Sequence, residues 1–203
     1  VYLKKSNFPK LDEVKIIISK LRLFQPDLVI AVGGGCVMDL AKISSSMLNS
    51  NNLNDDIISS NLSPEKIKVL AIPTTAGCGA EVTSNAVIYI GNTKYSVEGK
   101  NILPNFFYLN PKFLMSSGNY LDATACFDAI SQSVESIFSK KSNSESIEFA
   151  KKSLMITLKN FKNFIKTKTL SNAHKMLVGA NLAGKAINIS KTIAPHALSY
   201  PFS

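Results

Sequence analysis

The sequence predicts an α/β fold, with a mainly parallel sheet and its crossover helices first and an all-helical domain after it. Three observations predict it. Two short apolar strands run directly into glycine-rich loops, strand and helix patterns alternate as far as about residue 110, and only helical periodicity follows. The expected domains are 1–110 and 111–203.

Composition bounds the function classes. The 203 residues are 45% apolar and 18% charged, which sustains a packed core and excludes a disordered chain. The longest apolar run falls far short of a bilayer span and the first residues lack a basic-then-apolar leader pattern. A cytoplasmic protein with no membrane partner is expected. Cys36, Cys78 and Cys126 have neither a disulfide framework nor metal-knuckle spacing, and read as reduced thiols. The net charge of +9 is carried almost wholly by lysines spread over every expected helix, without a block of five basic residues. That argues against nucleic acid, while leaving charge to steer an anionic cofactor or substrate.

Val1-Tyr2-Leu3 reads as the remnant of a strand. Leu11, Val14, Ile17, Ile18 and Leu21 share one helix face, with Asp12 and Glu13 at its N-terminal end and Pro26 beyond it. Leu28-Val29-Ile30-Ala31-Val32 reads as a strand buried on both faces, followed by Gly33-Gly34-Gly35 and a helix to about Leu48. Strand, glycine turn and helix in that order offer unpaired N–H groups and the positive end of a helix dipole to an anion. An ordinary tight turn would carry the same glycines. Asn49 to Pro64 is a polar loop with room for a short helix.

Lys68 to Ile72 is a second buried strand, leaving through Pro73-Thr74-Thr75-Ala76-Gly77-Cys78-Gly79-Ala80-Glu81-Val82-Thr83. Two glycine-and-hydroxyl loops at strand ends of one sheet are expected to face a shared ligand crevice. Ala86 to Ile90 is another strand, Gly91-Asn92 a turn, and Phe106 to Leu109 the last apolar run before Asn110-Pro111.

Beyond Pro111, Ala123, Phe127, Ile130, Val134, Ile137 and Phe138 fall on one side of a helix. Ser142-x-x-Glu145 reads as a capping box for the next, whose core face takes Ile147, Ala150, Leu154, Leu158, Phe161 and Ile165. A third helix, from about Ser171 to Ile189, holds Gly179, Ala180, Ala183, Gly184 and Ala186, small enough for a close neighbour. Asp128 and Gln132 are one turn apart on one face of the first of these helices. An acid among apolar residues is costly unless paired or ligating a cation, whereas at the edge of an amphipathic helix it is merely solvated. His174 reads as an exposed helix residue.

The two glycine stretches resemble those of a known family. Gly33-Gly34-Gly35-Cys36-x-x-Asp39-x-Ala41-Lys42 is similar to the GGGSxxDxAK signature of the iron-containing (type III) alcohol dehydrogenases, and Ile72 to Thr83 to their IPTTAGTGSEVT-like stretch. Cysteine replaces serine at 36 and threonine at 78, and alanine replaces serine at 80. The resemblance implies a Rossmann-like sheet domain and a helical domain. It also implies NAD(P)H as cofactor, held by Gly33, Gly34, Gly35, Asp39, Thr74 and Thr75, with Lys94 as the lysine near it.

In that family the helix of Asp128 carries an Asp-x-x-x-His pair of metal ligands. Asp128 matches, and Gln132 stands where the histidine is expected. Pro195-His196-Ala197-Leu198-Ser199-Tyr200-Pro201 resembles the His-x-x-x-His turn: His196 matches a ligand and Tyr200 replaces the second histidine. Asp128, Gln132 and His196 are thus the implied ligands of a divalent metal, Fe2+ or Zn2+. The family's last histidine ligand and its first strand and helix have no counterpart here, so the chain is expected to be cut at both ends, with weak metal binding and little activity by itself.

The stretches around Asp128, Gly179–Ile189 and His196 are similar to the phosphonoacetaldehyde reductase branch of the same family. The implied reaction is hydride transfer from the nicotinamide to an aldehyde, with phosphonoacetaldehyde giving hydroxyethylphosphonate as one form of it. A small, anionic aldehyde would want cations close by, and Lys185, Lys191 and Thr192 are candidates to hold it, while Tyr200 would relay a proton. Homodimers or larger homo-oligomers are common in the family. A related polyol or sugar-phosphate dehydrogenase, and a catalytically incomplete nucleotide-binding fragment, are the alternatives.

Overall fold

The computed structural model describes residues 1–199, which divide into two compact units. One comprises Val1–Ile72 and Thr83–Tyr108; the other comprises Pro73–Val82 and the chain from Leu109 onward.

The first unit contains α1 (Leu11–Phe24), β1 (Leu28–Gly33), α2 (Gly35–Ser46), α3 (Leu53–Ser59), β2 (Lys68–Pro73), β3 (Asn85–Ile90), β4 (Thr93–Glu98) and β5 (Phe106–Phe107). β1, β2 and β5 form one sheet in that order, with β5 parallel to β2 in the register Leu70↔Phe106. The expected α/β architecture with parallel pairing is present. β3 and β4 make a separate antiparallel hairpin in the register Ala86↔Val97 and Ile88↔Tyr95. Leu11, Val14 and Ile18 of α1 bury the stripe the sequence marks, together with Leu40, Ile43, Met47, Ile57, Ile88, Val97 and Ile102.

Two segments of this unit depart from the expected pattern. Leu28, Ile30 and Val32 of β1 alternate onto an exposed face and only Ala31 is fully buried. A run of five apolar residues does not distinguish a strand covered on one face from one covered on both. Val1–Leu3 forms no strand. That segment is held instead through Glu13, which accepts from the Tyr2 hydroxyl at 2.8 Å and from the Lys5 N–H at 2.8 Å.

The second unit contains α4 (Asn119–Phe138), α5 (Ser144–Lys166), α6 (Leu170–Ser190) and the short α7 (Ala194–Ser199). Its apolar core is Ala76, Leu114, Cys126, Ala129, Phe164, Ala173, Met176, Leu177, Ala180 and Ala183. The buried faces differ from the expected ones. On α4, Phe127, Val134 and Phe138 are exposed, while Cys126, Ala129, Gln132, Ser133 and Ser136 are buried. On α5, Leu158 is exposed and the buried line is Ser146, Ala150, Ser153, Thr157, Asn160 and Phe164.

Close helix approach explains both. Small side chains admit a neighbouring backbone, and their hydroxyls satisfy it: Ser153 donates to Gly179 O at 2.8 Å and lies 2.8 Å from the Ser133 hydroxyl. The capping box of α5 sits one residue later than expected. Asn143 accepts from Ser146 N–H and Ser146 Oγ accepts from Asn143 N–H, both at 2.9 Å, whereas Ser142 donates to Ser139 O. Among the described residues, no helix is long and apolar enough to cross a membrane.

Candidate functional site

In the first unit, Gly33 ends β1 and Gly34 is the N-cap of α2, with no side chain capping that terminus. Val37 and Met38 N–H groups bond to Gly34 O, and the amides before them have no partner within the helix. A Cβ on Gly33 would lie 2.5 Å from Val37 Cγ2, so glycine is required for the turn to close onto its own helix. Burial pushes the Cys36 thiol up, which keeps it neutral.

Asp39 and Lys42 lie further along α2. Asp39 accepts from Val87 N–H at 3.1 Å and its Oδ1 is 3.9 Å from Lys42 Nζ. Lys42 is fully buried and donates to Thr83 Oγ1 at 3.1 Å and to Asn85 O at 2.6 Å. Signature positions 39 and 42 therefore tie α2 to the start of β3. Burial lifts the Asp39 carboxyl to about 6, against the pull of Lys42, the Val87 amide and Lys94. Lys94, on β4, also pulls the Cys36 thiol down. The Lys94 charge is thus felt at Asp39 and Cys36, on the first turns of α2. An uncapped N-terminus beside a lysine fits a phosphate-bearing cofactor.

In the second unit, Thr74 and Thr75 are half-buried at the start of the loop after β2. The loop is locked to α4 and α6 through main-chain contacts. A Cβ on Gly77 would lie 2.8 Å from Ala125 O, and one on Gly79, which has φ +61°, would lie 2.5 Å from Gly184 Cα. Beyond it the buried Glu81 accepts from Asn181 Nδ2 at 3.0 Å.

The same unit assembles the expected metal residues. His196 Nε2 is 3.8 Å from Asp128 Oδ1. The Gln132 amide donates to the Asp128 carboxylate and, at 3.5 Å, to Cys78 O, while its buried Oε1 has no hydrogen-bond partner. Burial raises the Asp128 carboxyl; His196 and the Gln132 amide oppose that shift and the neighbouring Glu135 charge reinforces it.

Glu135 is the residue that sequence reasoning missed. Its Oε1 lies 3.0 Å from His196 Nδ1 and its Oε2 accepts from Ile193 N–H at 2.8 Å. The available signal was its place seven residues after Asp128, two turns along the same helix.

The donor set fits a divalent cation. The 3.8 Å separation of Asp128 Oδ1 and His196 Nε2 is within twice a metal–ligand bond of about 2.0–2.2 Å, and the unpartnered Gln132 Oε1 is a third donor. Among the described residues, however, no group of three or more His, Cys, Asp or Glu side chains is arranged to hold a metal. Lys191 follows α6 with φ 63° and ψ 168°, and Lys185 Nζ lies 5.8 Å from the Phe149 ring centroid. His174 is exposed, as expected. Tyr200 lies outside the described residues.

Residues 1–111 match the family pattern of the iron-containing alcohol dehydrogenases. The chain is 29% identical to a phosphonoacetaldehyde reductase from Streptomyces viridochromogenes over 95% of this chain and 51% of that protein. It is also 29% identical to a 4-hydroxybutyrate dehydrogenase from Clostridium kluyveri, over 95% of this chain and 53% of that one. The crystal structure of a sulfoacetaldehyde reductase from Bifidobacterium kashiwanohense in complex with NAD+ superposes with a TM-score of 0.95 at 25% identity, over all of this chain and 55% of that one. The chain spans about half the length of the curated relatives it matches.

Proposed function

The chain belongs to the iron-containing alcohol dehydrogenase family, and from that premise we propose that it takes part in NAD(P)H-dependent, metal-assisted reduction of a small anionic aldehyde to its alcohol. The observation that carries the metal part is the opposition of Asp128 Oδ1 and His196 Nε2 at 3.8 Å, with the free Gln132 Oε1 beside them. The anionic substrate class is supported by relatives named for phosphonoacetaldehyde and sulfoacetaldehyde, each an aldehyde next to a strongly acidic group.

Asp128, Gln132 and His196 hold the divalent ion, Fe2+ or Zn2+. Gly33, Gly34, Gly35, Asp39, Thr74, Thr75 and Lys94 bind the cofactor, the glycines through main-chain N–H groups at the N-terminus of α2. When bound, the ion polarises the carbonyl and the nicotinamide supplies hydride. Lys191, with Lys185 and Thr192, binds the substrate's anionic group, and Tyr200 delivers the proton to the new alkoxide. The protein acts in the cytoplasm as a homodimer or larger homo-oligomer.

The test is NAD(P)H oxidation by the chain loaded with Fe2+ or Zn2+, offered phosphonoacetaldehyde, sulfoacetaldehyde and propanal. Turnover favouring the two anions is expected; preference for propanal overturns the substrate class. A second reading, a nucleotide-binding fragment without turnover, is favoured by the incomplete set of His and carboxylate ligands among the described residues. It predicts NADH binding by fluorescence with no oxidation under any metal.

A further inference from the structure

We propose that Glu135 is the positioning residue of the metal centre, fixing both the tautomer of His196 and the turn that carries it. The carboxylate is nearly buried and uses its two oxygens on two different partners. Oε1 faces His196 Nδ1 at 3.0 Å, and Oε2 takes the Ile193 N–H at 2.8 Å. The His196 N–H closes back on Ile193 O at 3.1 Å, so the turn from 193 to 196 is gripped at both ends by one side chain.

A carboxylate accepts and does not donate, so the ring nitrogen facing it carries the proton. In the neutral ring that leaves the Nε2 lone pair facing Asp128 Oδ1, 3.8 Å away, which is the form a cation requires. A hydrogen bond from Nδ1–H to a carboxylate also makes Nε2 a better donor to a metal. Asp128 and Glu135 lie two turns apart on α4, so one helix both supplies a ligand and orients the other.

This inference rests on the proposed metal reading only for its second readout. The first is the imidazole tautomer in metal-free protein at pH 8, read from long-range 1H–15N correlations. The chain has two histidines, and exposed His174 serves as the reference in the same spectrum. Wild type is expected to show His196 protonated at Nδ1. Glu135→Gln, whose amide oxygen still accepts, is expected to keep that tautomer, and Glu135→Leu to lose it.

The second readout is Zn2+ affinity by calorimetry, expected to fall about 10- to 100-fold in Glu135→Leu and far less in Glu135→Gln. Protonation of wild-type His196 at Nε2 overturns the proposal before any variant is made. So does a Glu135→Leu protein with the wild-type tautomer. A tautomer shift as expected in a protein that never binds Zn2+ supports the positioning role and removes the metal reading.

Discussion

Gly184→Ala pits two effects of known sign against each other. Gly184 is in the interior of α6, where alanine in place of glycine favours helix by about 1 kcal/mol. The new Cβ, however, would meet Gly79 O at 2.7 Å, Gly79 Cα at 2.8 Å and Val82 Cγ2 at 2.8 Å. Two of these atoms are main chain, and Gly79 already sits at φ +61°, so no rotamer change relieves the contact. The loop must retreat by about 0.7 Å to reach ordinary van der Waals distance, and against main-chain atoms the cost falls in the upper part of the overpacking range, about 2–3 kcal/mol. A net loss of about 1–2 kcal/mol is expected, which for a chain of this size lowers the melting temperature by about 2–8 °C. Thermal melts by circular dichroism measure it, with NADH affinity by fluorescence as a second readout, since the same loop carries Thr74 and Thr75. A variant as stable as wild type or more so, with unchanged affinity, would refute the close-contact reasoning.

Other outcomes follow from the same structure. Because burial raises Asp39 to about 6 from 3.8, the native state holds a proton the unfolded chain has released. Its contribution to stability is complete below about 3.8 and is lost as pH rises through about 6, with a slope of at most about 1.4 kcal/mol per pH unit. Urea titrations across pH 4–7 should show that falling component in wild type and lack it in Asp39→Asn; identical profiles would contradict it. Lys42→Met removes the buried cation that serves Thr83, Asn85 and Asp39, and should cost about 3–5 kcal/mol in urea unfolding. A cost under about 1 kcal/mol would show that the ammonium is dispensable. Lys191 occupies a backbone region suited to glycine, a strain of about 1–3 kcal/mol, so Lys191→Gly should gain about 1 kcal/mol of stability while losing aldehyde turnover. Asn143→Ala removes the cap of α5 and should cost about 1 kcal/mol in the same unfolding assay.

The elements were more legible than their faces. Glycines 33–35 mark the β1–α2 turn in the sequence, and at Gly33 the reason is visible, since a Cβ there would meet Val37. Hydropathy then assigns Phe127, Phe138 and Leu158 to the interior, where the helices instead meet through Ser133, Ser153, Thr157 and Gly179. Close approach selects for size, and size is invisible to a scale that ranks apolarity. Asp128, Gln132 and His196 were legible only as a pattern of types; their distances depend on where α6 ends and α7 begins. Glu135 offered only its spacing from Asp128, and an acid beside serines reads as solvated until its partners, 58 and 61 positions away, are known.

The bracketing of the His196 ring by Asp128 and Glu135 has a mechanical consequence. Both brackets belong to a single rigid rod, seven residues or about 10 Å apart along its axis at about 1.5 Å per residue. Sliding of α4 against its neighbours carries both carboxylates together and leaves their separation untouched. The vulnerable joint is the Ile193 amide, whose rate of deuterium uptake becomes a direct gauge of whether the imidazole is seated.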